Sequence, residues 1–236
     1  MSLFEQTNQN IPNAPPAYKY SRLVFDIETV PQDSLSSLQQ EYLDKKFARN
    51  SDRGINHGLE EAEHRRKICS LDAYLGKIAC ISVYFPDGPE EYNYAEQNEA
   101  NILEGFWKLI DGYNDGIFIS YNGRGFDIPF IIRRSIVHKI LPTNPNFLNY
   151  TKYNPFPPHY DCLLELCGRD MYMSLEQACE MLGIVSPKDG EITNSTVHIA
   201  YANGQFDKIA EYCARDLKAT YQVFQRIKKY TPINNR

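Results

Sequence analysis

Short apolar runs occupy the first half of the chain, and longer amphipathic stretches occupy the second half. Residues 21–30 (SRLVFDIETV) and 76–85 (GKIACISVYF) are short and mainly apolar, which is typical of buried strands. The second run leads through a Pro-Asp-Gly-Pro turn at 86–89 into a predicted strand at 91–95, so we expect a hairpin there. Residues 116–121 predict a further strand.

Apolar residues then recur with helical spacing. Ile102, Phe106 and Ile110 lie on one face of the first predicted helix. Helices are predicted at 98–112, 127–138, 174–182 and 205–230, with a short one after Asp161. The final helix has an apolar stripe formed by Phe206, Ile209, Cys213, Leu217, Phe224 and Ile227.

The order of these elements indicates the fold class. Strands come mostly first, helices alternate with them and then accumulate, and no internal repeat is evident, so we expect an α/β protein with a mixed central sheet flanked by helices. A chain of 236 residues with 42% hydrophobic residues suits one domain, over residues 20–236. Residues 1–19, rich in Asn, Gln and Pro, predict a disordered or extended arm. Residues 32–75 form a charged, helix-compatible insertion that could cover a cleft.

Composition narrows the function classes. No apolar run approaches the length of a membrane helix and no secretory pattern is present, so we expect a soluble, cytoplasmic protein without membrane attachment. None of the six cysteines has Cys-x-x-Cys spacing, which favours buried free thiols over disulfides or structural zinc. The net charge of -5 argues against a protein that binds long nucleic-acid duplexes through a basic surface. It does not exclude a nuclease, because cations offset clustered catalytic carboxylates.

Two carboxylates share one face of the first predicted strand. Side chains alternate along a strand, so Asp26 and Glu28 point one way while Phe25 and Ile27 point the other. Buried like charges disfavour joint ionisation, and a divalent cation between them removes that conflict. The spacing alone is weak evidence, since Asp189-Gly190-Glu191 repeats it in a turn where solvated carboxylates are ordinary. The buried context indicates a functional role for the first pair.

Asp127 follows a predicted strand and a glycine-containing loop, and it opens a helix with Pro129 in its first turn. A helix N-cap is the simpler interpretation of this residue alone. In the final helix, Tyr212 and Asp216 are four residues apart and therefore neighbours at the edge of the apolar stripe. A surface tyrosine beside a solvated aspartate is the alternative for that pair.

The motifs FDIET, YNGRGFDIPF and YCARD occur in this order, and together they resemble the three exonuclease motifs of the Asp-Glu-Asp-Asp (DEDD) superfamily. The proofreading domain of B-family DNA polymerases is the most similar. HYDCLLELCGRDMYMSLEQACEMLGI also resembles the family's segment between its second and third motifs, and the similarity covers residues 20 to about 230. Tyr212 places the chain in the Tyr subtype (DEDDy), because no histidine has an aspartate five residues later, as the His subtype requires. The resemblance implies a ribonuclease-H-like (DnaQ-like) fold.

The resemblance also implies an activity. The chain would be a 3′-to-5′ exonuclease acting on single-stranded ends and releasing nucleoside 5′-monophosphates. Two Mg²⁺ or Mn²⁺ ions would be held by four carboxylates, those of Asp26, Glu28, Asp127 and Asp216. Tyr212 completes the catalytic set and would orient the attacking water, since an unperturbed phenol stays protonated at neutral pH.

The resemblance also assigns substrate contacts to residues at matching positions of the exonuclease family. Asn122 would hydrogen-bond the terminal nucleotides and Phe126 would stack on them, although core packing explains Phe126 equally well. Thr29 would contact substrate through its backbone, or it simply reflects strand propensity. Asp161 is interpreted as an N-cap or a supporting residue. Arg124 and Lys188 are interpreted as solvated and are left out of the predicted site.

Three functions remain open at this point. A non-catalytic nucleic-acid-binding module is disfavoured because all four carboxylates and Tyr212 are retained. A hydrolase of small nucleotides is a third interpretation, but no separate base-recognition motif supports it. Within the nuclease interpretation, the resemblance alone favours DNA over RNA. Recruitment by replication or repair proteins is a further hypothesis.

Overall fold

The computed structural model describes residues 20–55, 58–88, 91–151, 158–168, 171–187 and 191–231. The predicted arm at 1–19 lies outside this part of the chain, as do Lys188 and Asp189 and the end of the predicted turn at 86–89.

One mixed sheet runs through the described part of the chain. Its five strands are β1 (Arg22–Pro31), β2 (Gly76–Tyr84), β3 (Glu91–Ala95), β4 (Ile117–Ser120) and β5 (His159–Asp161). The spatial order is β3-β2-β1-β4-β5, in which β1 pairs antiparallel with β2 and parallel with β4. β2 and β3 form the predicted hairpin. β5, which the sequence did not predict, lies parallel to β4 at the sheet edge. The central position of β1 confirms the expected buried strand.

Eight α-helices surround the sheet in the described residues: α1 (Ser37–Asp52), α2 (Glu61–Ser70), α3 (Glu99–Ile110), α4 (Asp127–His138), α5 (Cys162–Cys167), α6 (Leu175–Leu182), α7 (Val197–Ala202) and α8 (Phe206–Tyr230). Asn98 and Ser174 accept hydrogen bonds from backbone N–H groups at the starts of α3 and α6, so polar caps define these ends. The short α7 was not predicted. Within the described ranges, no helix combines the length and apolar character that a bilayer crossing requires.

The two faces of β1 pack against different helices. Leu23, Phe25 and Ile27 belong to an apolar core that includes Phe106 of α3 and Ile131 of α4. Val24, on the opposite face, packs in a second core with residues of α8, among them Leu217 and Val223. The alternation therefore places even-numbered positions of β1 on the α8 side, as the strand pattern predicted.

The predicted insertion at 32–75 forms α1 and α2. Leu43 of α1 packs with Ile68 and Cys69 of α2 and with Leu75, which precedes β2. Thr29 Oγ1 donates a hydrogen bond to the carbonyl of Ser70 at 2.7 Å, and this bond ties the end of α2 to β1. The insertion is thus a packed helical layer beside the central strand.

A buried ion-pair network joins β2, α3 and α4. Arg134 Nη2 lies 2.6 Å from Glu99 Oε2, and both side chains are almost fully buried. Glu99 Oε1 also accepts a hydrogen bond from the backbone N–H of Ile78 at 2.7 Å, and Glu99 Oε2 lies 2.8 Å from His138 Nε2. Because the charges of Arg134 and Glu99 are paired, the network fixes α3 and α4 on β2.

Candidate active site

The two carboxylates of β1 lie on the α8 side of the sheet. Glu28 is buried and Asp26 is half-buried. A β-bulge between Glu28 and Thr29 interrupts the pairing with β2 immediately after the pair. A carboxylate oxygen of Asp26, one of Glu28 and the sulfur of Cys213 lie within 4.8 Å of one another. The strand therefore presents two acidic groups at the spacing a single ion can bridge.

Asp127 reaches this strand from α4. Phe126 occupies the N-cap position of α4 and makes no side-chain cap, so the N-cap interpretation of Asp127 is wrong. Instead, Asp127 Oδ1 accepts a hydrogen bond from the backbone N–H of Ile27 at 3.0 Å. This bond fixes a third carboxylate, which is buried, on the backbone of the residue between Asp26 and Glu28.

α8 contributes three neighbouring groups. Tyr212 is only 2% exposed, so the surface-tyrosine alternative is wrong. Its hydroxyl donates a hydrogen bond to Asn194 Oδ1 at 2.7 Å. Cys213 Sγ donates to Asp26 Oδ2 at 3.5 Å. Asp216 is half-buried and lines the same cleft as the other carboxylates.

Burial and mutual repulsion perturb the acids. Burial, followed by the charges of Asp127 and Asp216, holds the pKa of Asp26 well above its usual value. The pKa of Glu28 is raised in the same way, by burial and then by Asp26 and Asp216. Burial raises the pKa of Asp127 to about 7. Burial and the charges of Glu28, Asp216 and Asp26 also raise the pKa of Tyr212, so its phenol stays protonated.

This donor set fits divalent cations. Carboxylate oxygens are the ligands that Mg²⁺ and Mn²⁺ prefer, and four of them converge on one cleft. Burial is the main cause of the raised pKa values of Asp26 and Glu28, and repulsion from the neighbouring carboxylates adds to it where no positive charge lies among them. A bound cation removes that repulsion.

The cleft has a volume of about 820 Å³ and contains every predicted site residue. Thr29, Asn122 and Phe126 all line it, but their side chains differ in availability. Thr29 Oγ1 is bonded to Ser70, which leaves its backbone for other contacts. Phe126 packs against Phe130 with ring centroids 5.5 Å apart, so the core-packing interpretation accounts for part of its surface. Asn122 adopts a left-handed conformation with φ 63°.

Asp161 supports the loop that holds Asn122. Its carboxylate accepts hydrogen bonds from the backbone N–H groups of Asn122 at 2.9 Å and Arg124 at 3.1 Å. The same group caps α5 by accepting from Leu163. Both predicted roles of Asp161 are therefore confirmed. Arg124 Nε donates to the carbonyl of Tyr150, and the side chain does not line the cleft.

The sequence indicated no role in the site for Cys213 or Asn194, and it predicted only in general terms that the insertion containing a third contributor could cover a cleft. Cys213 stands next to Tyr212 in the third motif, but the stripe pattern indicated only a core residue. Asn194 lies in a polar turn before α7 without any distinguishing signal. The third contributor is α2, whose residues Glu63, Arg66, Lys67 and Ser70 line the cleft.

Comparison with known proteins agrees with the fold of this chain. A family model described as "Predicted 3'-5' exonuclease related to the exonuclease domain of PolB" matches residues 76–232. The solved structure of the family B DNA polymerase from the hyperthermophilic archaeon Pyrobaculum calidifontis is similar in fold, with a TM-score of 0.58 at 14% sequence identity. The match covers 87% of this chain and 24% of the polymerase chain, so this chain spans about a quarter of that protein. No curated protein sequence matches significantly. These likenesses confirm the expected α/β, ribonuclease-H-like architecture.

Proposed function

The chain belongs to the family of predicted 3′-5′ exonucleases related to the exonuclease domain of PolB, and from this we propose that it is a metal-dependent exonuclease of the Tyr subtype. It would hydrolyse phosphodiester bonds at the 3′ ends of single-stranded nucleic acid and release nucleoside 5′-monophosphates. The observation that carries the proposal is the convergence of Asp26, Glu28, Asp127 and Asp216 on one cleft. Three of them have raised pKa values, which supports a site for cations.

The four carboxylates would hold two Mg²⁺ or Mn²⁺ ions. When bound, such ions lower the pKa of a coordinated water and offset the charge that develops on the phosphate and the leaving 3′-oxygen. The protein supplies the rigidity: β1 is the central strand, and Asp127 is fixed to it through the N–H of Ile27. Positions held this firmly favour one coordination geometry.

Tyr212 would hold the attacking water. Its hydroxyl proton is donated to Asn194, so the lone pairs of the phenol oxygen remain to accept a hydrogen bond from that water. The raised pKa keeps the phenol protonated, which supports an orienting role over that of a base. Asn194 acts on the water only through Tyr212 and is therefore a positioning residue.

Substrate contacts are assigned to residues around the carboxylates. Asn122 would hydrogen-bond the terminal nucleotides, the exposed part of Phe126 would stack on a base, and Thr29 would contact the strand through its backbone. We favour DNA as substrate because of the relation to a DNA polymerase domain. A soluble, cytoplasmic location and recruitment by replication or repair proteins complete the proposal.

The test is digestion of a 5′-labelled single-stranded DNA oligonucleotide, and of the RNA of the same sequence, with Mg²⁺, Mn²⁺ or EDTA. We expect a ladder of products shortened from the 3′ end that requires the cation. Asp26→Asn should lower the rate at least about 10²-fold, since it removes one charged ligand from the charge-stabilising centre.

Glu191→Gln is the matched control. Glu191 ends the second Asp-x-Glu sequence, but its side chain is exposed and pairs with Lys208 at 2.6 Å. This substitution should leave the ladder unchanged. Oligonucleotides that stay intact under every condition would overturn the proposal and favour a binding module. Release of phosphate from mononucleotides without a ladder would favour the small-molecule hydrolase.

A further inference from the structure

Helix α2 separates α1 from the cleft and turns different faces to each. His64, Ile68 and Cys69 are buried, and the His64 ring lies 5.2 Å from that of Phe47 on α1. Glu63, Arg66, Lys67 and Ser70 line the cleft. Their spacing of three, four and seven residues is that of a single helix face. The inner surface of α2 is therefore one wall of the site.

This wall carries the basic charge of an otherwise acidic cleft. Six carboxylates line the cleft in the described residues: Asp26, Glu28, Glu63, Asp127, Glu176 and Asp216. The lysine and arginine side chains that line it in the same ranges are Arg66 and Lys67, both on α2. A polyanionic strand that enters the cleft meets its complementary charge there.

The ion pairs of α2 distinguish Arg66 from its neighbour Arg65. Arg65 is held outside the cleft by Asp44 at 2.6 Å and Glu61 at 2.8 Å. Arg66 lies 3.7 Å from Glu63, which is beyond hydrogen-bond distance, and both side chains are partly exposed. Exposed pairs of this kind contribute little stability, so Arg66 can exchange its partner for a phosphate at small cost. Lys67 is exposed.

We propose that Arg66 and Lys67 form a phosphate-binding wall that holds the backbone of a single-stranded nucleic acid beside the carboxylates. The inference rests on the proposed function and names the part of the chain that grips the strand. The family model matches residues 76–232, so α2, like β1, lies outside the matched residues. Because DNA and RNA share the phosphate backbone, the wall binds both nucleic acids alike.

The test measures binding separately from cleavage. A 5′-fluorescein single-stranded DNA of 15 thymidines, or the labelled RNA of 15 uridines, is titrated with Asp26→Asn protein in Mg²⁺. Fluorescence anisotropy measures binding at a series of salt concentrations. Each phosphate contact on a single strand releases roughly 0.7 counterion, so removing two contacts lowers the salt slope by about 1.4. At 0.1 M salt, Arg66→Ala with Lys67→Ala should weaken binding roughly 25-fold for both strands.

Two further variants control for charge. The double variant Lys45→Ala, Arg49→Ala also removes one lysine and one arginine charge, but from α1, whose residues do not line the cleft. This control should weaken binding less than about 3-fold, because salt screens charges that lie away from the strand. Glu63→Gln should tighten binding, because it removes a negative charge from the wall and releases Arg66. Melting temperatures establish that each variant folds, and Lys67→Ala alone remains informative if the double variant does not.

Equal losses in the α1 and α2 double variants would overturn the phosphate wall, and so would an unchanged salt slope. Failure of the proposed exonuclease function is distinguishable from failure of the phosphate wall, because the digestion assay tests the exonuclease and the binding assay tests the wall. Protein that binds the strand through α2 but never shortens it would refute the exonuclease and leave the wall standing. Protein that shortens the strand equally well without Arg66 and Lys67 would refute the wall alone.

Discussion

Replacing Asp127 with asparagine should change how stability depends on pH when cations are absent. Asp127 is 3% exposed, and burial raises its pKa from 3.8 to about 7. Between these values, the folded protein binds a proton that the unfolded chain has lost. Stability is therefore highest on the acid side and falls as pH rises through about 7. The amide of the variant would keep an oxygen that accepts from Ile27 but would carry no charge.

The magnitude follows from the pKa values. The full shift corresponds to about 4 kcal/mol, and the part lost between pH 6 and pH 8 is about 1 kcal/mol. His159 titrates in the opposite sense, because burial lowers its pKa from 6.5 to about 4 and its protonation destabilises the folded state below pH 6.5. Both proteins contain His159, so comparing Asp127→Asn with the wild type cancels that contribution.

The assay is urea unfolding of both proteins in EDTA at pH 6, 7 and 8. We expect the free energy of unfolding of the variant, relative to the wild type, to increase by about 1 kcal/mol from pH 6 to pH 8. Adding Mg²⁺ at pH 8 should stabilise the wild type more than the variant, since the cation replaces the protons of the acids. A difference that stays constant with pH in EDTA would refute the burial-driven rise in the pKa of Asp127.

Two further predictions test the residues that position the site. Asn194→Leu should lower kcat about 10-fold and leave KM and the stabilisation by Mg²⁺ unchanged, because it removes only the hydrogen-bond acceptor of Tyr212. Asn194→Asp keeps an acceptor and should retain more of the rate. An unchanged kcat in the leucine variant would contradict the positioning role of Asn194. Glu99→Ala should destabilise the protein by about 3 to 5 kcal/mol in urea unfolding, because Arg134 would be left buried without its charge partner. Glu41→Ala, which breaks the exposed pair with Lys45, is its control and should cost about 0.5 kcal/mol or less.

Periodic elements were predictable because their patterns are local. The strand at Glu91–Ala95 and the helix at Asp127–His138 have the bounds that alternation and helical spacing indicated. β5 has only three residues, all buried, so it offers no alternation to detect. The six residues of α7 are too few to establish a helical period. Elements this short are defined by their neighbours in space.

The site residues likewise divide into those with a local sequence signal and those whose role depends on a distant contact. Motif order predicted the acids and Tyr212 as site residues, and these residues line one cleft, but single motifs misled wherever a long-range contact determined the position of a side chain. Asp127 looked like a helix cap, yet its carboxylate accepts from the backbone of Ile27, which lies 100 residues earlier. Cys213 and its partner Asp26 are 187 residues apart. Contacts between residues so distant leave no local trace in one sequence.

Helix α8 packs against β1, β2, β3 and β4 and carries two of the five proposed catalytic residues. The order of the chain therefore determines when the site can exist during translation. A nascent chain on the ribosome exposes the Asp26 and Glu28 pair early, among messenger and ribosomal RNA, but Tyr212 and Asp216 are synthesised much later. The carboxylate set is complete only when α8 packs against the sheet. Under the proposed function, a chain that is only partly synthesised therefore lacks two of its five catalytic residues and would not cleave the RNA around it.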